Sequence, residues 1–428
     1  MASDTIFALS SGSLPSGVAV VRLSGPEALA AVQSMIESLP KPRVMTLASL
    51  RHPTNNMLLD TALVVTFPGP SSFTGEDCAE LHLHGGAATV EAVLEALGSV
   101  TGLRTAEAGE FSRRAFENGK LDLTEVEGLS DLIAAKTERQ RIAAMGQAGG
   151  ALRRVYDAWR ERLLHIVAMV EADLDFSEEE DVLGSTLDTV WQGVDTLIVD
   201  IACHLETARA GEIARRGLRV VLAGPPNAGK SSLLNAMAKR DVAIVTDIPG
   251  TTRDLIEVEL NLNGFLVVVT DTAGIRDTED VVEHEGIRRA MVAAEQADVK
   301  VWLNPVNDRQ PAPDKSWVEV QTKSDLARGA DDLLSVSVRT EDGISGFLDY
   351  LTQRLTDLGD EDVTFTRARH RAILVDVRDS LKSSLLEAPL ELRAAHLRDA
   401  LTALGRLSGR VDVEELLGAI FAEFCIGK

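Results

Sequence analysis

The run "GPPNAGKS", Gly224 to Ser231, brings together residue types that bind phosphate. Its spacing is G-x-x-x-x-G-K-[ST], the pattern of a phosphate-binding loop. Glycines let such a backbone turn tightly and point its N–H groups at an anion. Lys230 supplies a point charge for the β and γ phosphates of a nucleotide, and the Ser231 hydroxyl is a ligand for Mg²⁺. Asn227, Ala228, Gly229 and Ser232 complete the loop and the turn after it. The context agrees, because the apolar run "LRVVLAG" before the loop reads as a strand and "SSLLNAMAK" after it reads as a helix.

Motifs further on name the nucleotide. "TDIPGTTRD" carries Thr246, Asp247, Ile248, Pro249, Gly250, Thr251 and Thr252. Thr252 stands where a switch threonine senses Mg²⁺ and the γ-phosphate. "DTAG" follows the strand-like "FLVVVT" with Asp271, Thr272, Ala273 and Gly274. Asp271 there reaches Mg²⁺ through water, and the Gly274 N–H faces the γ-phosphate. In "TKSD", Thr322 and Lys323 precede Asp325, a carboxylate that accepts two hydrogen bonds from guanine; adenine offers no such pair of donors. "SVR", with Ser337, Val338 and Arg339, is the weaker loop that backs the base. These motifs in this order predict binding and hydrolysis of GTP with Mg²⁺.

Hydrolysis needs a group that orients water. The residue directly after Gly274 is Ile275, which is apolar and cannot do so. Glu283, His284 and Glu285 follow in "VVEHEG". Position alone does not choose among them, and by position each reads first as an ordinary exposed charge.

These residues need a scaffold. Between residues 216 and 358, strand-like runs such as "GLRVVLAG" and "GFLVVVTDTAG" alternate with helices, which predicts a mainly parallel α/β sheet. Residues 1–120 mix "GVAVVRLSG", "TALVVTFPG" and the alternating "CAELHLHGG" with the helical "AATVEAVLEALGSV", a small α/β domain. Residues 121–215 read as helix, with Leu123, Val126, Leu129, Leu132 and Ile133 on the helical period, and Thr124 with Glu127 as a capping box. Helix returns in residues 359–428, in "LRDALTALGRL" and "VEELLGAIFAEF". The expected class is multidomain α/β plus α: one discontinuous helical domain with the nucleotide domain inserted in it.

The chain has 428 residues and a net charge of -23. That balance argues against nonspecific affinity for nucleic acid or anionic membrane, while leaving room for a local basic patch. Cys78, Cys203 and Cys425 are far apart, with neither metal spacing nor a disulfide framework, which fits a reducing cytoplasm. The start lacks a basic leader, and no apolar run is long enough to span a bilayer, so no membrane association is expected. At the other end, "FCIGK" puts a cysteine four residues from the terminus. Gly427 and Lys428 fit a prenylation box badly. On local sequence the tail reads as a helix stopped by glycine.

Six stretches together resemble one family: "SFTGEDCAELHLHGG", "AGEFSRRAFENGKLDLTEVEGLSDLI", "PNAGKSSLLNA", "AIVTDIPGTTRD", "DTAG" and the terminal "FCIGK". The whole chain resembles the MnmE (TrmE) family of tRNA-modification GTPases. The resemblance implies an N-terminal tetrahydrofolate-binding domain, a discontinuous helical domain and an inserted Ras-like P-loop G domain. It implies a homodimer that works with the FAD-containing protein MnmG on C5 of the wobble uridine of certain tRNAs, using a one-carbon unit from 5,10-methylenetetrahydrofolate, of which 5-formyltetrahydrofolate is an analogue. It implies K⁺-dependent hydrolysis, with Asn227 as the K⁺ side-chain ligand and loop oxygens from Thr246, Ile248 and Thr251. Glu283 matches the family's water-orienting glutamate, beside Lys230 in catalysis. The folate site maps to Arg22, Glu80, Lys120 and Lys428, and the terminal motif puts Cys425 near the folate, its chemical role open.

The chain departs from the family pattern in ways that bear on the site. Thr322 replaces the usual Asn, Val338 replaces the usual Ala, and the segment between "DTAG" and "TKSD" is shorter, with a weak strand pattern that puts G-domain stability in question. A ribosome-assembly GTPase would share the nucleotide motifs but leave the N-terminal ones unexplained. A folate-binding scaffold without hydrolysis is opposed by the intact Lys230, Ser231, Asp271 and Glu283.

Overall fold

The computed structural model describes residues 4–175, 184–240, 242–244, 256–271, 294–327, 333–356 and 366–411, with 417, 418, 420, 421, 424, 426 and 427. The chain divides into two compact units, Met1–Ser130 with Ala148–Arg160 and Leu401–Lys428, and Asp131–Gln147 with Glu161–Ala400.

The first unit is built on strands β1 (Thr5–Leu9), β2 (Ser16–Ser24), β3 (Thr46–Arg51), β4 (Leu58–Phe67), β5 (Cys78–Gly85) and β6 (Leu103–Thr105). They form one sheet in the order β3-β4-β5-β2-β1-β6. Strand and helix mix as the sequence predicts, but the pairing is antiparallel except between β1 and β6. Alternation gives the sheet two chemically different faces. Val21, Leu23, Leu81 and Leu83 face a core shared with α1 (Ala28–Met35) and α2 (Ala87–Gly98). Arg22 and Glu80 are direct cross-strand partners on the other face.

Helix α3 (Glu110–Glu117) starts at Gly109, whose φ of 68° suits glycine. It carries Arg114, buried and paired with Glu76 at 3.1 Å, Asp4 at 2.9 Å and Glu110 at 3.3 Å. A buried guanidinium with this many acceptors fixes the elements that carry them, and losing one partner of such a pair costs about 3–5 kcal/mol. Helix α4 (Leu123–Ala134) is capped differently from the expectation. The Asp122 carboxylate accepts the Glu125 N–H at 2.8 Å, and the Glu125 carboxylate accepts the Asp122 N–H at 2.8 Å. The reciprocal box is therefore Asp122 with Glu125, two residues earlier than Thr124 with Glu127, because the helix begins at Leu123.

The second unit carries α5 (Glu138–Ala148), part of α6 (Ala151–Asp175), and α7 (Gly184–Arg216). Its sheet consists of β7 (Leu218–Ala223), β8 (Ile256–Leu262), β9 (Phe265–Asp271), β10 (Val299–Pro305), β11 (Trp317–Thr322) and β12 (Leu334–Val336). The order is β12-β11-β10-β7-β9-β8, parallel throughout except that β8 is antiparallel to β9. Helices α8 (Lys230–Ala238) and α9 (Ile344–Thr356) contribute Leu233, Leu234, Phe347 and Leu351 to its core. Burying each such side chain is worth about 1.5–3 kcal/mol. Strand order reverses at β7, which lies between β10 and β9; ligands of open parallel sheets bind at the carboxyl ends of strands at such a switch. Helices α10 (Ala368–Ser384) and α11 (Leu390–Ser408) follow.

The shortened segment resolves simply. Strands β10 and β11 pair in continuous parallel register from Lys300–Trp317 to Pro305–Thr322, so the weak pattern still forms strands. Residues 306–316 cross between them in turns and bends without a helix. Trp302 and Trp317 meet edge to face at 5.9 Å and pack with Ala294, Ala297 and Ala312 on one side of the sheet. The Trp302 indole N–H donates to the Gln310 carbonyl at 3.1 Å, and the Asn304 amide oxygen accepts the Gln310 N–H at 3.0 Å. Among the described residues no helix is long and apolar enough to cross a membrane.

Candidate functional site

Strand β7 delivers the chain into the phosphate loop at Ala223. A Cβ on Gly224 would come within 2.4 Å of the Leu303 carbonyl oxygen, so only glycine fits beside β10. Asn227 sits at φ 60°, a conformation Asn tolerates, and Gly229 at φ 96° opens α8. The loop thus ends in a helix N-terminus, whose free N–H groups favour an anion. The Lys230 ammonium donates to the Gly224 and Pro225 carbonyls at 2.8 and 3.0 Å. Burial pushes its pKa down, with Asp271 acting in the opposite sense. A desolvated cation surrounded by carbonyls favours the arrival of negative charge. Next to it the Ser231 hydroxyl donates to the fully buried Asp271 carboxylate at 2.5 Å. These are two converging hard oxygens, a donor set that fits Mg²⁺.

The "TKSD" and "SVR" residues lie at and just beyond the ends of β11 and β12. The Thr322 hydroxyl donates to the Ala228 carbonyl at 2.6 Å, and both residues are buried. This ties the "TKSD" motif to the phosphate loop, so the short side chain that replaces Asn still makes a bond to that loop. Lys323 takes a positive φ of 58° as the chain turns. Asp325 Oδ1 accepts the Ser337 hydroxyl at 2.8 Å, which joins "TKSD" to "SVR". Arg339 is 4.0 Å from Asp325 Oδ2, with its side chain 83% exposed. Val338 packs against the sheet core, which accounts for the extra methyl groups relative to Ala.

The first unit holds a second cluster. Glu80 Oε1 accepts from the Arg22 guanidinium at 2.9–3.0 Å, and Glu80 Oε2 lies 3.3 Å from His82 Nε2. The Arg22 guanidinium carbon is 5.4 Å from the Phe73 ring centre and 5.7 Å from that of Phe111. Lys120 makes no hydrogen bond or ion pair with this pair; its Cε lies 3.2 Å from where a Gly75 Cβ would be, in the loop that carries Phe73. The C-terminal tail reaches the same unit. Ile426 bridges to Ala108, the Ser10 hydroxyl donates to the Gly427 carbonyl, and a Cβ on Gly427 would fall 2.0 Å from the Leu9 carbonyl oxygen.

The residues Thr246 to Thr252, Thr272, Ala273, Gly274, Glu283, Cys425 and Lys428 lie outside the described residues. Sequence reasoning missed Phe73, His82 and Arg114. All three stand in stretches it singled out, "SFTGEDCAELHLHGG" and "AGEFSRRAFENGKLDLTEVEGLSDLI", but which of these side chains is buried against a partner is not written in their local spacing. Among the described residues no group of His, Cys, Asp and Glu is arranged to hold a metal by itself.

Two family models cover the chain almost end to end. The GTP-binding protein TrmE N-terminus matches residues 5–120, and the MnmE helical domain matches residues 123–425. The tRNA modification GTPase MnmE of Rhizobium meliloti is 50% identical over 439 residues, covering 100% of both chains. That of Agrobacterium fabrum is 48% identical over 444 residues, covering 100% of this chain and 99% of its own. That of Sinorhizobium medicae is 49% identical over 438 residues, with the same coverage. The chain belongs to the MnmE (TrmE) family.

Proposed function

We propose that this protein is a GTPase of tRNA modification, which hydrolyses GTP to GDP and phosphate in a Ras-like G domain spanning residues 216–358. The observation that carries this reading is the convergence of Lys230, Ser231 and Asp271 at one end of the site, joined by the Thr322–Ala228 bond to Asp325 and Ser337 at the other. One end has the chemistry of a Mg²⁺-bound triphosphate and the other the carboxylate that distinguishes guanine. Thr252 would join Ser231 on Mg²⁺. Asn227, with oxygens of Thr246, Ile248 and Thr251, would hold K⁺ and so offset charge that develops on the phosphates. Glu283 would orient the attacking water.

The finer reading concerns the first unit. Arg22, Glu80, Lys120 and Lys428 would bind a reduced folate: basic groups suit its glutamate tail, and the Glu80 carboxylate suits the donor edge of the pterin. The Arg22–Glu80 pair and the docking of the tail beside Ser10 support this. The protein would act as a homodimer with an FAD-containing MnmG partner to modify C5 of the wobble uridine. An unpartnered apolar surface supports self-association: Leu47 and Leu63 pair across β3 and β4, and Val44, Met45, Met57 and Leu58 are exposed near them on the edge of the sheet. Reconstitution tests the reading. The purified chain, an FAD-containing partner, GTP, K⁺, 5,10-methylenetetrahydrofolate and unmodified tRNA should yield a C5-substituted wobble uridine. Omitting GTP or the folate should abolish the product, and product formed without either one would overturn the proposal.

A further inference from the structure

Residues 68–77 connect β4 to β5 and are anchored along their length. The Asp77 carboxylate accepts the Gly69 N–H at 2.8 Å, and the Ser72 hydroxyl donates to the Glu76 carbonyl at 2.5 Å. Beyond Phe73, the Thr74 and Ser24 hydroxyls are 2.7 Å apart, and the Asn118 amide donates to the Thr74 carbonyl at 2.7 Å. Glu76 is paired with the buried Arg114, and Gly75 sits at φ 83°, a backbone conformation in which a side chain is strained. Thr74 is fully buried. Phe73 itself is 38% exposed, and every other Phe, Tyr and Trp among the described residues is buried or half-buried.

A single exposed apolar residue is ordinary. The Arg22 guanidinium lies over the Phe73 ring, yet the side chain stays 38% exposed on a loop that is anchored on both sides of it. The ring is 5.4 Å from the Arg22 guanidinium, which is itself bound to Glu80. One short stretch of surface therefore offers a ring face, a cation and a carboxylate. These are complementary to a planar heterocycle that carries hydrogen-bond donors on its edge and an anionic tail. We propose that Phe73 is a binding residue of this site, presenting its ring face to the planar pyrimidine half of a reduced pterin while Glu80 takes the donor edge. This deepens the folate reading of Arg22 and Glu80, and rests on it. It also gives the anchored loop a purpose: the ring is held in place before the ligand arrives, so little conformational entropy is lost on binding.

The test is a calorimetric titration of the full-length protein with 5-formyltetrahydrofolate, comparing the parent with Phe73→Ala, Phe73→Trp and Arg22→Ala. Phe73→Ala should bind about tenfold more weakly, the usual scale of a lost ring contact. Phe73→Trp should keep the affinity, and its added indole fluorescence should be quenched at saturation. That quenching is read even where the alanine variant folds poorly. If Phe73→Ala binds like the parent while Arg22→Ala does not, or if the new indole is not quenched, the role of the ring is refuted and the folate site stands. If the parent itself does not bind, the folate site and the role of Phe73 fall together.

Discussion

The bond between Thr322 and Ala228 can be removed almost by itself. Thr322→Val keeps the volume and the branching at Cβ but takes away the hydroxyl. Thr322 is 4% exposed and Ala228 is fully buried, so water cannot replace the lost donor. The Ala228 carbonyl would then stand without the 2.6 Å bond it now accepts, and a buried acceptor left unmade costs about 1–3 kcal/mol. If that cost falls on the loop conformation that binds phosphate, affinity for GTP drops by a factor of roughly 5 to 150. Urea unfolding followed by tryptophan fluorescence measures the stability part, since Trp317 opens the same strand that Thr322 closes. The slope against denaturant should not change, because the exposed area does not. Titration with a non-hydrolysable GTP analogue measures the binding part. Thr322→Ser, which keeps the hydroxyl, should retain the nucleotide affinity. If the valine variant matches the parent in both stability and affinity, the bond does not join the two ends of the site and the reasoning fails.

Further expectations follow from the same geometry. Asn227→Gly removes the amide oxygen without straining the loop, since glycine adopts φ near 60° freely and alanine would cost about 1–2 kcal/mol there; replacing Na⁺ with K⁺ should accelerate hydrolysis by the parent and leave the variant unchanged, and equal parent rates in both salts would exclude the K⁺ site. Glu283→Gln should slow single-turnover hydrolysis by about 10²-fold or more while GTP-analogue affinity stays within about twofold; lost affinity with an unchanged rate would mark the residue as structural. Gly427→Ala puts a methyl group against the Leu9 carbonyl in a conformation, φ 95°, that alanine avoids. It should undock the tail and weaken 5-formyltetrahydrofolate binding in a calorimetric titration; unchanged affinity would separate the tail from the folate site.

The nucleotide site was the most legible part of the sequence. Its motifs are local, and the strand, loop and helix that the spacing of "GPPNAGKS" predicts are present, with the strand ending at Ala223 and the helix beginning at Lys230. Asp271 and Asp325 were also readable, because each follows a buried strand in a recognisable signature. What the sequence did not disclose were contacts between distant segments. Arg114 in "EFSRRAF" binds Asp4 and Glu76, and nothing in the spacing of those residues announces the pairing. Thr322 is legible in the sequence only as a replacement for the usual Asn, and the structure adds the bond its hydroxyl makes to Ala228. The segment 306–316 misled for a different reason. Its Pro, Asn and Asp content weakens any periodic pattern, yet the strands on either side are held by the sheet and by the Trp302–Trp317 contact. Tertiary pairing overrode local propensity there. The box at the start of α4 was placed on Thr124 and Glu127 because both pairs fit the same spacing rule, and only the true first residue of the helix decides between them.

The central claim is that GTP hydrolysis in this chain serves modification of the wobble uridine. It is tested most directly by mass spectrometry of tRNA nucleosides from a strain lacking the gene, complemented with the parent or with Lys230→Ala. The parent should restore the C5-substituted wobble uridine, and the Lys230→Ala strain should accumulate tRNA without it. Identical nucleoside profiles in the deletion, the parent and the Lys230→Ala strains would contradict the account.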